Sequence, residues 1–269
     1  EKMAKTYGDN RRSPVVERKN ATAISESELL PTEGVTVILS NKGWIRAAKG
    51  YEINTENLNF KAGDELKAVT TGRSNQLVVV LDSGGRSYSL PIRGLPSARG
   101  HGEPLTGRLT VPPAITFEWI TAGDPDQQVI LSSSIGYGFV SKLGDLHSKN
   151  RNGKSVLTFP DNAHPLPMCR LNHLDTDQLI AVSNEGRMLI FPASQLPVLA
   201  RGKGNKIIQV FADKKEILSL IDVLPANHKL ILHASGKSLT LRPENLVIYA
   251  GDRGRRGQKL PKGFRKIEK

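Results

Sequence analysis

Glycines that close short polar turns between two apolar runs recur along this chain at Gly43, Gly85, Gly136, Gly186 and Gly236, at intervals of 42, 51, 50 and 50 residues. An apolar run, a Gly-bearing polar cluster and a second apolar run read as a β-hairpin. A repeat near 50 residues with about four strands per repeat is the signature of propeller-like blades and not of helical solenoids. Five hairpins predict five blades in an all-β chain. The clearest copy spans residues 177–210. Its strands run Leu179 to Val182 and Arg187 to Phe191, and a third strand is expected at Ile207 to Val210.

The remaining copies follow the same order. Strands are expected at residues 35–40 and 44–48; at 65–70, 76–82 and 86–90; at 115–121, 128–132 and 138–142; at 168–172; and at 217–223, 229–233 and 237–241. Glycine-bearing basic loops keep nearly the same spacing, at residues 98–107, 149–154, 201–206 and 253–259. The corresponding loop of the first repeat, residues 50–63, is polar but scarcely basic. Repeat one lacks leading strands and residues 263–267 are left over at the other end, so the ring either closes with those pieces or stays open.

Charge narrows the function. The chain carries 38 Lys and Arg against 26 Asp and Glu, a formal net charge of +12. Nine Lys and Arg against three Asp and Glu fall in the last 30 residues, which therefore hold half of the excess. Such an excess points to a polyanionic partner, nucleic acid first and an anionic membrane surface second, with solubility alone as the bland alternative. In each basic loop, cations stand beside glycines, so side chains and backbone N–H groups can approach phosphates together. Solvated inter-blade turns are the competing reading of the same loops.

The candidate contacts are Lys42, Arg46 and Lys49 in the first repeat and Arg99 and Arg108 around the second loop. Lys149, Arg151 and Lys154 follow in the third loop, Arg201, Lys203 and Lys206 in the fourth, and Arg253, Arg255, Arg256 and Lys259 in the fifth. Trp44 and Trp119 lie within strands and read as core, which disfavours recognition of single strands by stacking.

Other chemistries fail on spacing. Gly153-Lys154-Ser155 and Gly236-Lys237-Ser238 end like phosphate-binding loops, but the required upstream glycines are replaced by Ser148 and Ile231. Gly202-Lys203-Gly204 lacks the third glycine of a dinucleotide fingerprint. The six histidines are scattered, no metal-ligand spacing is met, and no Gly-x-Ser-x-Gly elbow occurs. Cys169, the single cysteine, reads as a small buried hydrophobe. No apolar stretch approaches 18 residues and no signal-peptide pattern opens the chain, which reads as cytoplasmic.

Residues 1–30 have mixed charge, no strand periodicity, and Ser25 and Glu28 at capping-box spacing. They are expected to be a linker with a short helical segment leaving an upstream domain, with the pinwheel at residues 31–269.

The chain resembles the C-terminal part of the bacterial topoisomerase IV A subunit, kin of the gyrase A subunit. The resemblance rests on YGDNRRSP at residues 7–14, GWIR at 43–46, LPSARG at 95–100, EPLTG at 103–107, DNAH at 161–164, RGKGNKII at 201–208 and RGRRG at 253–257. It implies a five-bladed, open β-pinwheel that binds and bends duplex DNA on its basic outer edge. It also implies a non-catalytic role here, the nucleophilic tyrosine, ATP and Mg2+ acting elsewhere in a holoenzyme that includes the ParE subunit. Gyrase carries a Gln-Arg-Arg-Gly-Gly-Lys-Gly type box that supports chiral wrapping. Arg253 to Gly257 comes nearest but lacks the leading Gln and the double glycine, so the resemblance implies holding a bent or crossed duplex for decatenation and relaxation, near the nucleoid, without a full wrap. The alternative is a protein-interaction propeller docking an acidic partner, such as a condensin of the MukB type.

Overall fold

A computed structural model describes residues 2–7, 31–54, 58–225, 228–234, 236–264 and 267. The chain divides into two compact units, residues 1–31 and Thr32–Lys269. The first contains one described element, the helix α1 (Lys2–Tyr7), and the capping box at Ser25 and Glu28 lies outside the described residues.

The second unit is a series of antiparallel sheets built on hairpins. Blade one pairs β1 (Gly34–Ser40) with β2 (Trp44–Lys49), adds β3 (Leu66–Arg73) beside β1, and adds β6 (Glu103–Pro104) beside β2. Blade two repeats this with β4 (Leu77–Asp82), β5 (Arg86–Pro91), β7 (Phe117–Ala122) and β10 (Lys154–Ser155). Blade three uses β8 (Gln128–Ser133), β9 (Tyr137–Lys142), β11 (Cys169–Leu171) and β14 (Asn205–Lys206). Blade four uses β12 (Gln178–Ser183), β13 (Arg187–Pro192), β15 (Leu218–Leu224) and β18 (Gln258–Lys259). The fifth hairpin, β16 (Leu230–Ala234) with β17 (Lys237–Leu241), forms a two-stranded sheet.

Each blade thus borrows two strands from the chain that follows its hairpin. The leading strand of the next repeat pairs with the first hairpin strand, and a two-residue strand from beyond the next hairpin pairs with the second. This sharing is why the fifth hairpin stands alone: no sixth repeat follows to lend it strands. The ring is therefore open by strand pairing, with blade five incomplete among the described residues.

The apolar runs are continuous because both faces of each hairpin are buried. In β4, Val78 and Val80 pack toward blade one while Val79 and Leu81 pack toward blade three. In β12, Leu179 and Ala181 face blade three while Ile180 and Val182 face blade five. Four clusters of this kind join five blades in series. The outer face of blade one meets residues 50–63 instead: the Phe60 ring lies 4.7 Å from the Arg46 guanidinium, and Lys61 Nζ lies 3.6 Å over Trp44.

Two sequence expectations need correction. Residues 207–210 are not a strand; the strand is Asn205–Lys206, and Ile207 and Ile208 are fully buried between blades three and four. The leftover run at 263–267 forms no strand among its described residues, and Phe264 and Ile267 pack into the cluster under blade five. Trp119 packs between two clusters as core, whereas Trp44 is only half-buried. Cys169 is buried, its thiol donating to the Ile221 carbonyl at 3.1 Å.

All five hairpin-turn glycines have φ between 69° and 78°, the left-handed region that a Cβ disfavours. A second glycine class appears in the basic loops. Gly102, Gly153, Gly204 and Gly257 each precede the short outer strand, each has positive φ, and a Cβ on any of them would fall 2.1–2.7 Å from a carbonyl oxygen of the adjacent hairpin strand. These glycines let the loop lie flat on the blade. Gly204→Ala is expected to lower the urea midpoint, with about 1–2 kcal/mol lost to the left-handed backbone alone and more to the clash with Gly138 O. Gly100→Ala, with nothing within 4 Å of its Cβ, leaves the midpoint unchanged.

Candidate nucleic-acid interface

The basic loops sit on the outer edges. The leading strands β3 and β7 lie against each other, as do β11 and β15, so these mark the inside of the stack. The two-residue strands β6, β10, β14 and β18 occupy the opposite edge of each sheet. The loops that carry the cations reach those edge strands.

In blades one, three and four, the incoming segment first bridges the edge strand in parallel, at Ala47 with Ser97, Val140 with Val198 and Ile190 with Ala250. It then reverses and returns antiparallel. Arginines on the edge strands hold the loops by their carbonyls. Arg46 Nη1 donates to Gly100 O at 2.6 Å, Arg86 donates to Asn152 O and Gly153 O, and Arg187 Nη1 donates to Gly257 O at 3.1 Å. In blade three the matching position is Tyr137, with Lys203 Nζ 4.1 Å from its ring.

Successive loops are also joined to one another. Thr110 N–H donates to Arg151 O, Gly202 N–H to Val156 O, Thr158 N–H to Gly202 O, Gly254 N–H to Ile207 O and Gln209 N–H to Arg255 O. Backbone hydrogen bonds thereby chain the loops of neighbouring blades into one continuous edge. No feature of the sequence announces this, because both partners are loop backbone.

The fifteen candidate residues divide by environment. Arg99, Lys149, Arg151, Arg201 and Lys203 are exposed, and among the described residues no hydrogen bond or ion pair engages their side-chain nitrogens. Lys206 and Lys259 are exposed on β14 and β18, and Lys154 is half-buried on β10. Lys42, in the first hairpin turn, donates Nζ to Ala62 O, and Lys49 pairs with Glu33 at 3.0 Å. Arg108 pairs with Glu103 and donates to Gly94 O. Arg46 is 3% exposed, so its cation serves the loop from beneath. Arg253 Nη1 donates to Lys206 O, and Arg255 lies near Asp252, both exposed.

Arg256 is held in place. Its Nη1 lies 2.6 Å from each carboxylate oxygen of Glu216 and 2.9 Å from Gln209 O, with its guanidinium 4.5 Å from the Phe211 ring centroid. Glu216, whose side chain is 0% exposed, also accepts from Ser183 Oγ and Phe211 N–H. Burial pushes its carboxyl up, but the hydrogen bonds from Arg256, Ser183 and Phe211 outweigh that and hold it below the usual range. The sequence presents Arg253, Arg255 and Arg256 alike; only Arg255 has an exposed, weakly engaged side chain.

His147, where the third loop begins, is held below its ordinary value by burial and then by the charge of Lys154, and its Nε2 makes no hydrogen bond. As pH falls below about 6.5 the unfolded chain takes up this proton first, so stability falls from there down to the lower native value. Urea titrations between pH 7 and 5 should show this slope, flattened in His147→Gln.

Among the described residues there is no group of three or more His, Cys, Asp or Glu that could hold a metal ion, and no helix is long and apolar enough to cross a membrane. Open hairpin-based sheets that share strands from blade to blade, with a chained basic edge, define a β-pinwheel.

The chain belongs to the C-terminal-domain family of the topoisomerase IV and gyrase A subunits. The family described as DNA gyrase C-terminal domain, beta-propeller, matches residues 127–164 and 177–223. The structure of the E. coli ParC C-terminal domain is similar over 88% of this chain and 97% of that one, at 45% identity and a TM-score of 0.78. Among curated proteins, the DNA topoisomerase 4 A subunit of Pseudomonas aeruginosa is 50% identical over 99% of this chain, and that of Escherichia coli K12 is 47% identical over 99%. The chain spans 36% of the length of either relative.

Proposed function

We propose that this unit is the non-catalytic duplex-binding part of a topoisomerase IV A subunit, holding bent or crossed DNA along the basic edge and presenting it to a catalytic domain. The observation that supports this best is the chained series of loops, which sets unpaired cations on successive blades along one path. Contacts of this kind reach phosphates and not base edges, so binding is nearly sequence-independent. Bending a 20–30 bp site costs on the order of 1–6 kcal/mol, which phosphate contacts spread over four loops can offset.

In this reading ATP and Mg2+ act elsewhere in the holoenzyme, the ParE subunit joins through the catalytic domain, and the protein works at the cytoplasmic nucleoid in decatenation and relaxation. The incomplete box at Arg253 to Gly257 supports guidance without a full wrap. An acidic protein partner such as a MukB-type condensin is the second reading, favoured by the unshared strands of hairpin five. Anisotropy with a linear duplex and a small bent circle across a salt series tests the first: steep salt dependence and tighter binding to the circle are expected. Failure to bind either DNA at about 50 mM salt, where basic binders hold strongly, shifts the case to the protein partner.

A further inference from the structure

A second gathering of cations lies at the hairpin-turn end of blade four, mostly apart from the edge loops. A cleft of about 400 Å3 there is lined by Arg187, Lys214, Arg256, Lys259 and Lys262, with Glu185 and Glu216 as its acids. Glu216 is engaged by Arg256, as described above. That leaves Arg187 and three exposed lysines facing one exposed carboxylate, Glu185. Among the described residues Lys214, Lys259 and Lys262 enter no ion pair, and Lys237 of hairpin five brings its Nζ beside Gly263, next to Lys262.

The backbone is shaped to keep these charges together. Lys214 ends a 3-10 turn (Ala212–Lys214), and the next residue, Lys215, takes φ 54°, a left-handed conformation unusual for a residue with a Cβ. Its carbonyl accepts from the Asn184 side chain in the hairpin turn, and Glu216 then turns into the core. The Phe211 ring sits beneath Arg256 and Lys214, with Lys214 Nζ 5.4 Å from its centroid. Like charges converging in a half-enclosed space repel one another until an anion enters.

We propose that this cleft seats a phosphate of the duplex backbone, as an anchor where the edge path passes blade four. The inference rests on the duplex-binding reading above and adds Lys214, Lys262 and Arg187 to the contacts. No aromatic ring lines the cleft, so it offers a base nothing to stack on, while a compact anion with several oxygens suits converging ammonium and guanidinium groups.

The test uses the 269-residue chain and a labelled duplex of about 30 bp across a salt series. Lys214→Ala with Lys262→Ala should weaken binding about tenfold at 0.1 M salt and make the log–log salt slope shallower by roughly 2, at about 0.9 per phosphate contact. Glu185→Gln should strengthen binding a few-fold, a gain that misfolding cannot imitate. Replacing chloride with inorganic phosphate at fixed ionic strength should raise the melting temperature of the parent chain more than that of the double variant.

If the double variant binds duplex with parental affinity and slope while Lys149→Ala with Arg151→Ala weakens binding, the cleft proposal falls and the edge reading stands. If neither pair of substitutions weakens binding, both fall. If only the inorganic-phosphate response is lost, the cleft is a free-anion site and the duplex anchor is overturned.

Discussion

Replacing Arg99, Lys149, Arg151, Arg201 and Lys203 together by alanine lowers duplex affinity by on the order of 100-fold or more at 0.1 M salt and reduces the salt slope by up to about 4.5, one phosphate contact per residue at about 0.9. The loss arises because these five side chains are exposed cations whose nitrogens engage nothing else among the described residues, so each can release a counterion from DNA at little cost to the protein. The fold should be unaffected, since the loops are held by their backbone carbonyls, through Arg46, Arg86 and Arg187, and by the glycines against the edge strands. Anisotropy for affinity and a thermal melt for the fold check both halves. An unchanged slope with an intact melt would remove these loops from the DNA path.

Arg256→Ala should behave differently. It leaves the fully buried Glu216 carboxylate without its cation, and breaking a buried pair from one side costs about 3–5 kcal/mol. A urea midpoint well below that of the parent chain is the expected result, against no change for Arg255→Ala, whose partner Asp252 is exposed. Glu216→Gln should recover part of the loss in the Arg256→Ala background, because a neutral amide is cheaper to bury than an unpaired carboxylate.

Acid also separates the two variants. A carboxyl depressed in the folded state stabilises above its unfolded value and loses that contribution as pH falls through the folded one. The parent chain should lose stability below about pH 4.5, the ordinary value of such a carboxyl, and Glu216→Gln should lose less over the same range. A DNA-binding defect in Arg256→Ala is therefore interpretable only beside its melt, and Arg255→Ala is the cleaner probe of the fifth loop.

Blade number, hairpin positions and the sites of the basic loops could be read from residue order. A left-handed turn admits glycine at 43, 85, 136, 186 and 236 at no steric cost, and strands buried on both faces must be apolar throughout. These are local demands, and each leaves a mark at a fixed place in the chain. The two-residue strands β6, β10, β14 and β18 left none, because two polar residues have no period; the sequence instead drew attention to the apolar Ile207 to Val210, whose first two residues fill a gap between blades.

The roles of individual cations were likewise beyond the sequence. Arg46, Arg255 and Arg256 are chemically alike, but one lies under a loop, one reaches solvent and one closes on a buried acid contributed from 40 residues away. Lys214 and Lys262 stand 48 positions apart in the sequence and meet in one cleft. Local backbone requirements thus wrote the repeat into the sequence, while the partners of each charge were chosen by packing between distant segments, which only the tertiary structure brings within reach.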